Sequence, residues 1–256
     1  MPGARFHFRV SASAFLLLSA CATAPKIGEF SDRDLMAAAC PAGFVKKLSG
    51  SVWTKIESKE ISGQFPATVL VDYPKKLAVE VTNLIGSPQA WLTIDEGKTE
   101  LRFTAENEKE YGKPLRPRDM LGGLPVELAL RLFAGGVPCP SDDKNQAIRV
   151  KQTDDGGLEV IAMDLRTRLS TRYVYLFTKL AGHPWVREAS LEKLARSAKA
   201  GAKSNLITIR REEPSDPDGA PKRWSALSSR GEIRVRWKDR TVTSVNVPQS
   251  SESLVK

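Results

Sequence analysis

From residue 49 to residue 105 the chain alternates apolar and polar positions with a period of two. Val52, Thr54 and Ile56 fall on one face of residues 49–58, and Val69, Val71 and Tyr73 on one face of residues 65–73. Leu77, Val79 and Val81 do the same in residues 76–84, Ala90, Leu92 and Ile94 in residues 89–95, and Leu101, Phe103 and Ala105 in residues 99–105. This alternation predicts strands with one buried face. The connections are short and turn-like: Tyr73-Pro74-Lys75, Gly86-Ser87-Pro88 and Asp95-Glu96-Gly97. Successive strands joined this way favour an antiparallel meander.

The pattern breaks over residues 116–136. There Leu124, Leu128, Leu132 and Phe133 recur at helical spacing, Pro125 suits a first turn, and Gly135-Gly136 is a stop signal. The predicted helix is apolar over much of its circumference, so it is expected to pack into a concave sheet. Strands resume at residues 147–153, 157–164, 170–180, 204–212 and 231–239, and residues 185–193 suit a strand or a helix. Asp154-Asp155-Gly156-Gly157 is a hairpin signal. In the last strand Ile233, Val235 and Trp237 face one way and Arg234, Arg236 and Lys238 the other. Ahead of all the strands, residues 32–39 predict a short helix with Ser31 as N-cap and acids in its first turn. Residues 212–223 read as a flexible loop and residues 248–256 as a flexible tail.

About ten strands are too many to lie flat, so a strongly curled sheet is expected. The predicted fold is mainly β with helices: a curled antiparallel half-barrel closed by a few helices, built from residues 31–247 as a single domain. Such a sheet with an apolar helix across its mouth encloses either a cavity fit for acyl chains or a core filled by its own side chains. Alternation does not separate the two. The candidate lining residues are Val79, Val81, Leu92, Ile94, Leu101, Phe103, Leu128, Leu132 and Phe133.

The first twenty residues have a different character. Arg5 and Arg9 stand near the start with no acid, an apolar stretch comes next, and Leu18-Ser19-Ala20-Cys21 closes it. A positive end, a short apolar run and a small-residue cleavage site describe a secretory signal over residues 1–20. The run is too short to span a bilayer, which takes about 20 residues. The closing tetrad resembles the lipobox of bacterial lipoproteins. That resemblance implies cleavage before Cys21 and lipid (palmitate among it) on that residue; the short stretch that follows, with Pro25 and Gly28, reads as a tether over residues 21–30. The other reading is an ordinary signal peptide in which Cys21 happens to lie just past the cut. Ala22, where an Asp tends to retain lipoproteins in the inner membrane, implies the outer membrane.

The formal net charge is +9 and stays basic once the leader is removed. A basic surface favours anionic partners. For a tethered, exported chain these are lipid headgroups rather than nucleic acid. Beyond Cys21 the cysteines are Cys40 and Cys139, each followed by proline. An even pair in an exported chain usually bonds, though two free thiols stay open as an alternative. No Cys-x-x-Cys spacing exists and His183 is the one histidine past the leader, so no metal centre or cofactor is expected.

No Gly-x-Ser-x-Gly, phosphate loop or His-Glu pair appears. Asp142-Asp143 and Asp154-Asp155 are acid pairs beside turns, where solvated carboxylates are the ordinary reading. His183 has no nucleophile spaced near it. Arg166, Arg168 and Arg172, with Arg234, Arg236 and Lys238, form either a headgroup-binding stripe or a solvated sheet face. The sequence points to binding rather than catalysis.

The runs "LAVEVTNLIGSPQAWLTID" and "DMLGGLPVELALRLFAGGVP" together resemble LolB, the outer-membrane receptor of bacterial lipoprotein sorting. The likeness covers residues 49–138, with a weaker echo at "GEIRVRW". It implies a half-barrel closed by helices, shared with the periplasmic carrier LolA, and acyl chains held between sheet and helices. It implies, as partners, the acyl chains of lipoproteins or other lipid, a periplasmic carrier, and the membrane surface. In that family a loop between early strands exposes a leucine that helps deliver lipoproteins. The matching loop here holds Leu84, Ile85 and Gly86, with Ile85 at the leucine position and Leu-Ile-Gly in place of Pro-Leu-Gly. Its apolar tip either meets a membrane or tucks under the sheet rim. A structural envelope lipoprotein without a lipid cavity is the competing reading.

Overall fold

The structure is a computed structural model and describes residues 29–41, 46–104, 115–141, 143–194, 205–215 and 220–244. The signal segment, Cys21, most of the tether, Ala105, Asp142 and the tail at residues 248–256 lie outside these.

A first helix, α1 (Asp32–Ala39), precedes the strands β1 (Lys46–Ser58), β2 (Ser62–Tyr73), β3 (Lys76–Thr82), β4 (Pro88–Asp95) and β5 (Lys98–Phe103). A 3₁₀ turn (Asp119–Leu121) and helix α2 (Val126–Phe133) interrupt. Then come β6 (Gln146–Gln152), β7 (Leu158–Asp164), β8 (Ser170–Leu180), β9 (His183–Leu194), β10 (Asn205–Arg211), β11 (Arg223–Ser228), β12 (Gly231–Trp237) and β13 (Thr241–Ser244). They form one 13-stranded antiparallel sheet in the order β5-β4-β3-β2-β1-β12-β11-β10-β9-β8-β7-β6, with β13 pairing β1. The path stays open, with β5 and β6 as edges, and the sheet curls.

Most strands are consecutive hairpins, as their short connections require. The central join is different: β1 pairs β2 on one side and β12 on the other, bringing Trp53 opposite Arg236 and Ile56 opposite Ile233. The ambiguous stretch near residue 185 is strand, paired along β8 and β10. β11 and β13 are strands that the hydrophobic pattern did not single out. β11 is short and hides its alternation behind Trp224 and Ala226, the buried pair on its inner face. The helix expected across residues 116–136 is shorter, eight residues after a 3₁₀ turn, with Pro125 as N-cap rather than inside it.

Two cores lie on the concave face. The larger sits under β1–β5, β11 and β12 and is capped by the 3₁₀ turn and α2; the smaller joins β7–β9 to α1. Leu191 is half-buried and packs against both. In α1, the Ser31 hydroxyl accepts from the Asp34 amide while the Asp34 carboxylate accepts from the Ser31 amide, a capping box that satisfies end donors. The Ser31 hydroxyl and amide hold the Asp34 carboxyl below the usual carboxylate range. Leu35 and Ala39 turn inward. Cys40 is bonded to Cys139, which ties α1 to the chain beyond α2. Beside that bridge the Tyr175 hydroxyl donates to the Pro138 carbonyl at 2.8 Å, and burial pushes its phenol far up in pKa.

Candidate functional site

The lid over the larger core is assembled from unlike pieces. The buried Asp119 carboxylate accepts from the Arg116 amide at 2.8 Å and from its guanidinium, which fixes the 3₁₀ turn and aims Met120 and Leu121 at the sheet. Gly122 is next, at φ 63°, and a Cβ there would stand 2.8 Å from the Ile233 side chain and 2.9 Å from the Glu232 carbonyl. Only glycine permits that approach of lid backbone to β12. α2 then buries Leu128, Ala129, Leu130, Leu132 and Phe133. At its far end Gly135 sits at φ 85°, where a Cβ would fall 2.7 Å from that of Ala220. Arg211 donates to the Gly135 carbonyl at 3.0 Å and lies 4.4 Å over the Trp185 ring. Burial lowers its guanidinium to about 10, so it stays cationic at neutral pH. The lid is thus held down at both ends by backbone proximity and between them by apolar packing and by Arg131, which donates to the Tyr73 hydroxyl and to Cys139 Sγ, both at 2.9 Å.

Under the lid the core is filled. A void of about 20 Å³ remains, walled among others by Val79, Val81, Leu92, Phe133 and Met120. That is room for about one water molecule. Ile94, Leu128 and Leu132 are buried in the same core away from the void, while Leu101 and Phe103 are half-buried near the edge strand β5. Phe133 meets Trp224 edge-on at 5.2 Å between ring centres. Among the described residues the Thr54 hydroxyl and the Trp224 indole N–H are buried without a hydrogen-bond partner.

Beside the lid the space opens. A cavity of about 300 Å³ lies between the start of the lid (Arg118, Gly123, Pro125) and the inner face of β9 and β10 (Leu191, Lys193, Asn205, Ile207), with the β11–β12 turn at its side. This volume is at the lower bound for small-molecule sites, about 300 Å³. The strand register grades its wall. Ile209 pairs with Ala189, both buried; Ile207 pairs with Leu191, both half-buried; Asn205 pairs with Lys193, both exposed. The wall therefore runs from core to a polar rim in three cross-strand pairs. Arg118, Lys193 and Arg230 stand on that rim, and none forms an ion pair among the described residues. None of these residues stood out in the sequence. The available signal was the switch from apolar to polar at inward positions of residues 185–193 and 204–212, visible only once their pairing is known.

At the same strand end as the β1–β2 and β11–β12 turns, the β3–β4 hairpin carries the predicted loop. The Asn83 side chain accepts from the Ile85 and Ser87 amides at 3.1 and 2.8 Å, and Gly86 takes φ 89°. Asparagine and glycine thus build the turn. Leu84 and Ile85 are 82% and 87% exposed, so neither tucks under the rim.

The predicted basic stripe is not one surface. Arg166 and Arg168 sit on the β7–β8 turn, and Arg172 pairs with Glu159. Arg234, Arg236 and Lys238 lie on the convex face, beside a groove of about 520 Å³. There Arg210 pairs with Glu188, Arg223 with Glu212 and Arg234 with Glu232, while Lys238 covers the Trp53 ring. It is largely a charge-neutralised sheet face. His183 is exposed at the β8–β9 turn, and Asp155 accepts from the Thr153 hydroxyl within its own hairpin. Among the described residues no cluster of three or more His, Cys, Asp or Glu can hold a metal ion. Among them, too, no helix is long and apolar enough to cross a membrane.

No family model matches the chain, and no curated protein matches it significantly. Solved structures to which it is similar include a LolA superfamily protein from Nitrosomonas europaea, at 10% identity and TM-score 0.43, covering 83% of this chain and 92% of that one. Another is a domain from Vibrio parahaemolyticus named for outer membrane lipoprotein sorting, at 8% identity and TM-score 0.38, covering 78% and 86%. A third is a DUF1329 family protein from Desulfovibrio piger, at 8% identity and TM-score 0.36, covering 89% and 96%. These likenesses are distant and concern the course of the backbone alone.

Proposed function

We propose that this chain is a lipid-anchored outer-membrane protein that takes the acyl chains of lipoproteins or other lipids on its concave face and passes them to the membrane. Cys21 would carry the anchor. The observation that carries this reading is the apolar wall that continues out of the lidded core into an open 300 Å³ mouth. A chain entering there meets Leu191 and Ile207 first, then the lid's underside. Met120, on the wall of the small void, is an unbranched thioether that repacks readily. The bound tail would thus lengthen the mouth inward while the lid's two ends stay pinned. The exposed Leu84-Ile85 tip supports the delivery half of the reading, because an apolar pair that builds nothing in the fold gains by meeting hydrocarbon. A periplasmic carrier is the proposed donor.

The filled core under the lid favours a second reading, a structural envelope lipoprotein that binds a protein partner or cell wall through its surface. Native protein purified from membranes separates the two. Acyl transfer predicts co-purified lipid by mass spectrometry and saturable uptake of a fluorescent fatty acid. Neither lipid nor uptake would leave the structural role.

A further inference from the structure

We infer that the mouth beside the lid selects an anionic amphiphile, one acyl tail ending in a phosphate or carboxylate, over neutral cargo. This rests on the proposed acyl-binding role and adds the headgroup chemistry.

The floor and rim of the mouth differ in kind. Its floor is Leu191, Ile207 and Pro125. Its rim holds Arg118, Lys193 and Arg230, contributed by the lid, β9 and the β11–β12 turn. On the convex face the arginines are mostly held by glutamates, whereas here three cations line one cavity, with no acid among its described lining residues. Like charges gathered at one rim repel one another, and an anion between them relieves this. Two of the three are arginines, whose forked donors match the paired oxygens of phosphate and carboxylate. Asn205, Ser228 and Ser229 add neutral polar groups at the same level. The graded wall then sets the pose: headgroup at the Asn205–Lys193 pair, tail along Ile207–Leu191 toward the core.

The test compares probes of equal chain length on the full-length protein: dodecyl phosphate, dodecyl maltoside, dodecyltrimethylammonium and inorganic phosphate alone. Dodecyl phosphate should bind about tenfold tighter than the maltoside, a margin that one charge-assisted contact supplies. The cationic probe should bind weakest, and added salt should narrow the margin. Joint Arg118→Gln, Lys193→Gln and Arg230→Gln substitution should abolish the preference, so that dodecyl phosphate and the maltoside bind equally. The charge-conserving Arg118→Lys, Arg230→Lys protein should retain it, which separates lost charge from lost folding. Equal affinity for phosphate and maltoside probes, or a preference that survives the Gln substitutions, overturns the inference and leaves acyl binding standing. Inorganic phosphate binding as tightly as dodecyl phosphate also overturns it, since the site would then read a free anion. If no amphiphile binds, the inference and the acyl-binding role fall together.

Discussion

The two cores under this sheet are closed by opposite means. The smaller one is stapled: Cys40 at the C-cap of α1 is bonded to Cys139 in the segment between α2 and β6, and the Tyr175 hydroxyl locks onto Pro138 beside them. The larger one is covered without any covalent tie, by a 3₁₀ turn and a short helix that rest on glycine contacts, apolar packing and the Arg131 guanidinium, which donates to the Tyr73 hydroxyl at 2.9 Å. The bridge joins the chain beyond Gly135, and the lid meets it through Arg131, whose guanidinium donates to Cys139 Sγ at 2.9 Å. One half is therefore built to hold its shape, and the other combines two arginine anchors with apolar packing that another apolar molecule can replace. The open mouth adjoins the second kind of closure, where Leu191 bridges the two cores.

The comparison breaks most sharply at the staple. Cys40 and Cys139 are 99 residues apart, and a cross-link over about 100 residues contributes about 4–5 kcal/mol on loop entropy. Paired Cys40→Ala, Cys139→Ala substitution should lower stability by that order in urea unfolding, and reductant should do the same to the wild-type chain alone. Phe133→Ala strikes the other closure. It should cost about 3–4 kcal/mol, yet enlarge the void beneath the lid and strengthen uptake of a short acyl probe. A matching loss of stability with weaker uptake would mean that the lid core is only structural. Gly122→Ala should cost about 1–2 kcal/mol, because a Cβ at φ 63° is strained and meets β12. Tyr175→Phe in the stapled core removes one buried hydroxyl and should cost about 1–2 kcal/mol without touching acyl binding. Smallest in stability is Ile85→Glu, expected within about 0.5 kcal/mol of the parent in a thermal melt. In cells that variant should strand other lipoproteins short of the outer membrane, and normal delivery would remove the receptor role.

The strand faces were legible because period-two alternation depends on nothing but local sequence. Val52, Val69, Val79 and Leu92 all turn inward where the pattern put them. The α1 cap was legible for the same reason, since Ser31 and Asp34 are neighbours in the chain. Along the lid the local signal misled. Leu124 keeps helical spacing with Leu128, but Gly122 and Gly123 take positive φ and Pro125 caps, so the turn before α2 is not helix. Composition alone named the cysteines as a pair; what the bridge fastens depends on the fold. The mouth was not legible at all. It arises where the lid's start meets the register of Lys193 with Asn205, a contact between distant stretches that no single segment encodes.

Photolabelling tests the acyl-binding face most directly. A palmitate analogue with a photoreactive group near its methyl end, irradiated with the full-length protein, should label Leu191, Ile207 and the lid's inner residues Met120 or Phe133, and unlabelled palmitate should compete it away. Labelling confined to the convex groove or the Leu84-Ile85 tip, or none that palmitate displaces, would contradict it.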